Sequence, residues 1–309
     1  MITVSRLYRG WDHLCKGTLI DRLCWEWRQH VRQGRLNWWK SQNGKREYVQ
    51  AEIQPGIRMR LYFDSWLCFQ IYHEAFERGE LQFLNAFLRP GDIFVDIGAN
   101  VGFFTVTAAH LVGETGHVYA FEPCSKTFER LSDNVYLNHL KNVSCYQLAL
   151  SDTLRIQDMN ISLDGYDAWN SLAKPVLGES FGAETVNCVK WDDFLREHGS
   201  ARDARMIKID VEGWEKHVIS GAREALSRPD APTLQVEFSD RASQSAGSSC
   251  YEIFQLLVDL GYKMFSYDAH KGRLLPELIR SDYWYLNLIA SKHPEFIGKR
   301  LQETFQRAS

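Results

Sequence analysis

From about residue 93 the chain alternates short apolar runs with longer amphipathic stretches. Residues 92–98 are apolar and end in an acid and a glycine, 101–112 predict an apolar helix, and 117–122 a second buried strand. Residues 125–138 predict an amphipathic helix with Phe128, Leu131, Val135 and Leu137 as its apolar positions, and 143–150 a third strand. This β-α-β-α-β order implies a parallel sheet with right-handed crossovers. A stretch around 151–190 breaks the alternation with polar turns and one strand, 185–189, and reads as an excursion near the mouth of the sheet. The pattern then resumes with strands at 205–210 and 232–238, helices at 214–226 and 251–260, and a closing antiparallel pair at 261–267 and 283–290. The expected fold class is α/β, a mostly parallel seven-stranded sheet with helices on both faces.

Ahead of this lies a different pattern. Leu19, Ile20, Leu23, Cys24, Trp27 and Val31 recur at helical spacing, with Arg22, Arg28 and Arg32 facing elsewhere and Gly34 as a stop. Residues 67–88 predict another helix, ended by Arg89-Pro90-Gly91. The expected division is a helical extension over 1–89 and a catalytic domain over 90–309.

Composition sharpens that division. Residues 1–50 hold five of the ten tryptophans (Trp11, Trp25, Trp27, Trp38 and Trp39) and carry a net charge of +6. The whole chain carries −3, so residues 51–309 carry −9. An acidic body argues against nucleic acid as the main substrate, which wants a basic footprint. The basic, Trp-rich head has several readings: a lid whose tryptophans are core, a homodimer contact, or an amphipathic helix lying on a membrane surface. Aromatic content of 13% excludes a mainly disordered chain. No apolar run reaches 18 residues and no signal-peptide apolar segment opens the chain, so no spanning helix or secretion signal is expected. Seven scattered cysteines without a C-x-x-C pair argue against a disulfide framework or zinc site and for a reducing, cytoplasmic compartment, with peripheral membrane contact through the head left open.

The chemistry concentrates at Val95-Asp-Ile-Gly-Ala-Asn-Val-Gly-Phe-Phe-Thr105, a strand end that opens a helix. Gly98 and Gly102 let the backbone turn sharply and approach a ligand, and the helix start offers free N–H groups to an anionic group. Asp96 is placed to meet an ammonium. Glu122, 24 residues after Gly98 at the next strand end, can accept the hydroxyls of a ribose. A dinucleotide would want G-x-G-x-x-G, whereas Asn100 stands where the second glycine belongs. S-adenosylmethionine has a ribose, an ammonium and a carboxylate but no phosphate, which matches an acid at each strand end. A tight strand–helix turn without any ligand is the plain alternative.

D-I-G-A-N-V-G-F-F-T followed by G-x-V-Y-A-F-E-P (residues 116–123) resembles the S-adenosylmethionine site of Rossmann-like class I methyltransferases. Leu148-Ala-Leu-Ser-Asp152, Asp192-Asp193, Ile207-Lys-Ile-Asp-Val-Glu-Gly-Trp-Glu215 and Val236-Glu-Phe238 resemble one branch, the FkbM family, over roughly residues 70–290. Trp214 and Lys190-Trp191 depart from that family's more usual residues, and residues 1–65 are not covered. The resemblance implies methyl transfer from S-adenosylmethionine, leaving S-adenosylhomocysteine, to a hydroxyl of a sugar or glycan, a polyketide or a similar small molecule. By position, Asp96, Gly98, Ala99, Asn100, Gly102, Phe103 and Glu122 would hold the cofactor, with Leu150 and Ser151 near the adenine.

An alcohol is a poor nucleophile, so a general base should help. Asp210 and Glu212 at the end of the fourth strand and Glu237 at the end of the fifth are the candidates, since ligands bind beyond the carboxyl ends of such strands. Asp210 shares a face with Lys208 and has a structural ion pair as its other reading; Glu212 has a helix cap. His217 is a more distant candidate. The three carboxylates have the donor type for Mg²⁺, although a metal is not expected. Other function classes remain: a nicotinamide-type oxidoreductase, and a non-catalytic cofactor-binding scaffold.

Overall fold

Strand pairing places the expected apolar runs side by side. The computed structural model describes residues 2–3, 19–174 and 180–308. They fall into two compact units, Met1–Phe76 and Glu77–Ser309.

In the first unit, β1 (Ile2–Thr3) and α1 (Leu19–Gln42) precede β2 (Tyr48–Gln54), β3 (Ile57–Tyr62) and α2 (Trp66–Tyr72). β2 and β3 form an antiparallel hairpin, turned at Pro55-Gly56 with Gly56 at φ +80°, and β1 pairs parallel to β2. The extension is thus not wholly helical as expected. Helix α1 does not stop at Gly34. An interior glycine costs only about 1 kcal/mol relative to alanine, and the turns beyond it carry Trp38 and Trp39. Trp39 is 4% exposed, lies 4.7 Å from the Phe63 ring and donates its indole N–H to the Phe63 carbonyl at 3.1 Å. Trp38 stacks on Tyr72 at 5.5 Å. These two tryptophans belong to an aromatic core. Trp11 lies outside the described residues, as do the side chains of Trp25 and Trp27.

The second unit runs α3 (Arg78–Phe87), β4 (Ile93–Ile97), α4 (Phe103–Val112), β5 (His117–Phe121), α5 (Ser125–Leu137), β6 (Val143–Tyr146), β7 (Ala149–Leu150), β8 (Arg155–Ser162) and β9 (Phe181–Val189). It continues through α6 (Trp191–Glu197), β10 (Met206–Ile209), α7 (Glu215–Gly221), α8 (Arg223–Ser227), β11 (Thr233–Phe238), α9 (Asp240–Ser245) and α10 (Cys250–Asp259). It closes with β12 (Lys263–Asp268), β13 (Arg273–Pro276), β14 (Leu286–Ser291) and α11 (Pro294–Ala308). The expected helix over 67–88 is split, because Glu74 and Glu77 adopt left-handed φ of 56° and 38°. Its second half, α3, packs on α4 and α11 and so belongs to the second unit rather than to an extension ending at residue 89.

The large sheet has eight strands in the order β13-β12-β14-β11-β10-β4-β5-β6. Pairing is parallel from β6 to β11, and β14, β12 and β13 add antiparallel. Seven strands match the expected sheet; β13 is an extra edge strand. The expected third strand also divides. β6 stays in the large sheet, whereas β7 leaves it to pair with β9, and β9 with β8, as a separate three-stranded sheet. The excursion is therefore a built hairpin, longer than the single strand expected. Chain order reverses between β4 and β10, which opens a crevice beyond their carboxyl ends, the usual ligand position in such sheets. Among the described residues no helix is long and apolar enough to cross a membrane.

Trp39→Ala should destabilise the first unit by about 3–5 kcal/mol, as loss of a large buried aromatic does. Denaturant titration should show the loss, and Trp39→Phe should recover part of it.

Candidate active site

The turn after β4 is held from two sides. Gly98 and Gly102 have φ of +85° and +89°, and Asn100 lies in the left-handed region at +48°. A side chain at residue 98 would place its Cβ 1.8 Å from the Asp210 carbonyl oxygen, and one at 102 would meet Leu131 at 2.7 Å. The N–H groups of Gly98 and Ala99 donate to the Phe121 carbonyl at 3.0 and 2.9 Å. The turn is therefore wedged between the ends of β5 and β10, and only glycine fits at 98. Phe103 starts α4 and is buried.

Glu122 clamps this turn. Its Oε1 accepts from the Cys124 N–H at 3.0 Å and the Thr127 hydroxyl at 2.7 Å, and its Oε2 accepts from the Asn100 N–H at 2.9 Å. Oε2 keeps capacity for one further donor, so the site offers one hydroxyl a partner here rather than both. Burial pushes the Glu122 carboxyl up to about 7 against the lowering effect of these hydrogen bonds. Asp96 is 1% exposed and accepts from the Thr105 hydroxyl at 2.6 Å. Burial raises its pKa, with the Lys208 ammonium opposing the shift.

The excursion roofs the crevice. Asn100 donates through its Nδ2 to the Asp167 carbonyl at 3.0 Å, while its Oδ1 is buried without a partner. Ser171 donates to the Glu212 carbonyl at 2.7 Å. Leu150 and Ser151 are placed differently. They lie in or beside β7, buried, and Ser151 accepts from the Trp214 indole at 3.1 Å and approaches Gly221 with its carbonyl. They pack on α7, whereas the other expected cofactor residues gather at the glycine turn.

Across the crevice the carboxylates gather around one buried amine. Lys208, 2% exposed, bonds Asp210 at 2.5 Å, lies 3.6 Å from Glu77 and sits 4.5 Å from the Phe104 ring centre. Register puts Lys208 beside Asp96 on β4 and Gln235 on β11. The ion pair of Lys208 with Asp210 is thus present. The helix cap read for Glu212 is absent, α7 having no side-chain cap; Glu215 at the start of α7 instead ties the preceding turn, accepting from the N–H groups of Val211 and Gly213 at 3.0 and 3.2 Å. Glu212 itself turns out, at a left-handed φ of 53°, toward Asp210 and Glu237. One carboxylate oxygen from each of these three lies within 4.8 Å of the others. Burial, then repulsion within the cluster, pushes the Glu212 and Glu237 carboxyls well up. Burial likewise takes Glu77 and Glu215 to about 7. His217 stands apart from the cluster, bonded to Asp152 at 2.9 Å and stacked on Trp214.

Glu212 and Glu237 line an open cleft of about 230 Å³ together with Trp169, Lys174, Trp284 and Tyr285. The wall residues were not legible in the sequence, since they come from the excursion and from the loop before β14. Glu77 was missed too, because it falls inside what reads as one helix over 67–88. Tyr285 donates to it at 2.7 Å.

A family model described as the methyltransferase FkbM domain matches residues 96–264. Among curated relatives, 31-O-demethyl-FK506 methyltransferase FkbM of Streptomyces tacrolimicus is 30% identical, over 45% of this chain and 62% of the relative. Hexuronic acid methyltransferase AglP of Haloferax volcanii is 28% identical, over 48% of this chain and 59% of the relative. The chain spans less than two thirds of the length of the curated relatives it matches. Among solved structures, a methyltransferase FkbM from Methylobacillus flagellatus aligns with a TM-score of 0.41 and 14% identity, over 72% of this chain and 54% of that one.

Replacing Lys208 by methionine leaves buried carboxylates without their counter-charge, a change that costs about 3–5 kcal/mol. Without the ammonium, the carboxyls of Glu77 and Asp96 rise further above their unfolded values. Stability present at low pH is then lost as pH rises through the folded values. Chemical denaturation of Lys208→Met should show a small deficit near pH 5 and the full one near pH 8.

Proposed function

We propose that this chain, which belongs to the FkbM methyltransferase family, is an S-adenosylmethionine-dependent O-methyltransferase acting on a hydroxyl of a sugar, glycan, polyketide or similar small molecule. The observation that carries this reading is a juxtaposition. The wedged Gly98–Gly102 turn and the Asp210–Glu212–Glu237 carboxylates face one crevice, with Gly98 lying directly against the Asp210 carbonyl. A ligand seated on the turn would present its reactive end to the carboxylates.

The residues fit such a cofactor. The N–H groups at the start of α4 suit the carboxylate of an amino-acid tail. The remaining acceptor capacity of Glu122 suits one ribose hydroxyl, and the buried, unpartnered Oδ1 of Asn100 suits an N–H or O–H donor. Asn100 also fills the place of a dinucleotide motif's second glycine and is tied to Asp167, which disfavours a nicotinamide cofactor. When bound, S-adenosylmethionine supplies an electrophilic methyl on a sulfonium. The protein's part is alignment and proton removal. Asp210 is held by Lys208, so Glu212 and Glu237 are the groups placed to orient an acceptor hydroxyl and take its proton. Burial and mutual repulsion raise both carboxyls, which strengthens each as a base in its ionised form. Trp169, Trp284 and Tyr285 offer ring faces to a cyclic acceptor at the cleft wall. The names of two curated relatives refer to methyl transfer involving a hexuronic acid and a demethylated FK506, both consistent with an oxygen-rich acceptor.

Calorimetric titration with S-adenosylhomocysteine should show binding that weakens about tenfold from pH 8 to pH 6, as a carboxyl near 7 takes up its proton. Glu122→Gln should bind more weakly and lose this dependence; unchanged affinity would remove Glu122 from the ribose site. Glu212→Gln and Glu237→Gln should keep cofactor affinity while turnover on a hydroxylated-acceptor panel falls at least tenfold. Tight cofactor binding with no turnover on any acceptor would favour a binding scaffold instead.

A further inference from the structure

We infer that Asp210, Glu212 and Glu237 form a divalent-cation site at the floor of the cleft, with coordination positions left open for adjacent oxygens of the acceptor. The acceptor clause rests on the methyltransferase reading; the cation site stands on its own geometry.

The first observation is spacing. One oxygen from each carboxylate lies within 4.8 Å of the other two. Oxygens sharing one ion at bond lengths of about 2.0–2.6 Å lie no farther apart than about twice that length. The spacing is within the reach of a Ca²⁺-sized ion, and a smaller ion such as Mg²⁺ or Mn²⁺ would draw the side chains slightly closer. The donors are all hard oxygens, which select these ions over softer metals.

The second observation is independent of the spacing. Glu237 is 2% exposed, yet among the described residues its Oε2 has no hydrogen-bond partner. Directly across the β11–β14 pair stands Asn287, 7% exposed, whose Oδ1 is also without one. Buried oxygens left this way are costly unless something electropositive meets them. Tyr285 donates to Glu77, Lys208 bonds Asp210, and the Asn287 Nδ2 donates to Glu80 at 3.2 Å, so these neighbouring donors already have acceptors. The buried acids Glu122 and Glu215 are each filled by backbone or hydroxyl donors. Among the described residues, Glu77 Oε2 and Asp167 Oδ2 also lack a hydrogen bond, but each has an ion-pair partner, Lys208 and Arg130; Glu237 lines the cleft.

The third is charge. Lys208 serves Asp210, Glu77 and Asp96; Lys174 and Arg241 also line the cleft, but among the described residues no ion pair joins either to Glu212 or Glu237. A divalent ion would neutralise both. Three protein ligands leave two or three positions of a six-coordinate ion open toward the cleft. A pair of neighbouring hydroxyls, as on a sugar ring, has the bite to occupy two of them.

Electron paramagnetic resonance of Mn²⁺ titrated into the full chain tests this, with S-adenosylhomocysteine affinity measured in parallel. One Mn²⁺ should bind per chain and be displaced by Mg²⁺. Glu237→Gln and Glu212→Gln should weaken it at least tenfold while still binding S-adenosylhomocysteine, which also reports that they fold. Water-proton relaxation should reveal exchangeable water on the bound ion. No Mn²⁺ binding by wild type, or full binding by both variants, overturns the site, and a closed coordination sphere overturns its acceptor role. Absence of Mn²⁺ binding by wild type that still binds S-adenosylhomocysteine defeats only this inference. Failure of wild type to bind S-adenosylhomocysteine defeats the methyltransferase reading and leaves the Mn²⁺ result to decide the cation site.

Discussion

The buried ammonium of Lys208 is the contact on which the crevice depends. It extends from β10, the central parallel strand beside β4, and meets Asp210 from its own strand, Glu77 from the start of α3, and the field of Asp96 on β4. Taking an amine out of water is unfavourable by several kcal/mol unless charges compensate it. Here the compensation raises its pKa rather than lowering it, because three carboxylates outweigh desolvation. The same contact also fixes architecture. Glu77 holds a left-handed backbone, which orients the entry to α3 and brings that helix across the sheet. One charge thereby ties the helix that precedes the first large-sheet strand to the strand that carries the proposed chemistry.

The acids of this region separate by what donates to them. Glu122 and Glu215 occupy the same role at neighbouring loops. Each lies within a few residues of a strand end and accepts from two backbone N–H groups that a sharp turn would otherwise leave unpaired. Glu122 holds the cofactor-side turn and Glu215 the Asp210–Gly213 turn. Because Glu215 fills the N–H groups of the turn, Glu212 is released to face the cleft. A bond made from the first residue of α7 back to the turn thus decides which acid is structural and which faces the cleft. Gly213 makes the swap feasible: at φ +101° it lies against the Ala242 carbonyl, where a Cβ would approach to 2.3 Å.

The parts legible in the sequence are those whose signal is local. The glycine turn needs two glycines within five residues, and Glu122 follows from strand spacing, so both were placed correctly beside β4 and β5. The fourth- and fifth-strand acids were found because strand ends in an alternating α/β pattern point at one crevice. What failed was set by tertiary contact. No strand is legible over 155–162 because only Met159 is buried in β8, the strand being stabilised by its pairing with β9 rather than by an apolar face. The third strand reads as continuous over 143–150, whereas β7 leaves the sheet at Gln147-Leu148 to pair with β9. Gly34 failed as a stop because Trp38 and Trp39 contribute more on packing than a glycine costs in a helix.

The excursion then has a definite physical role. It is joined to the cofactor-side turn through Asn100 and Asp167, and to the acidic turn through Ser171 and Glu212. Arg130 of α5 lies 3.7 Å from Asp167, which anchors the same short segment to the body. Both tethers end within five residues of each other, on either side of Trp169, which lines the cleft. A segment with such closely spaced anchors cannot shift over one turn without straining the other. Occupation of the glycine turn and of the cleft would therefore bear on one element. Donor and acceptor would be brought to a common geometry by the roof that neither the strand pattern nor the glycine motif could reveal.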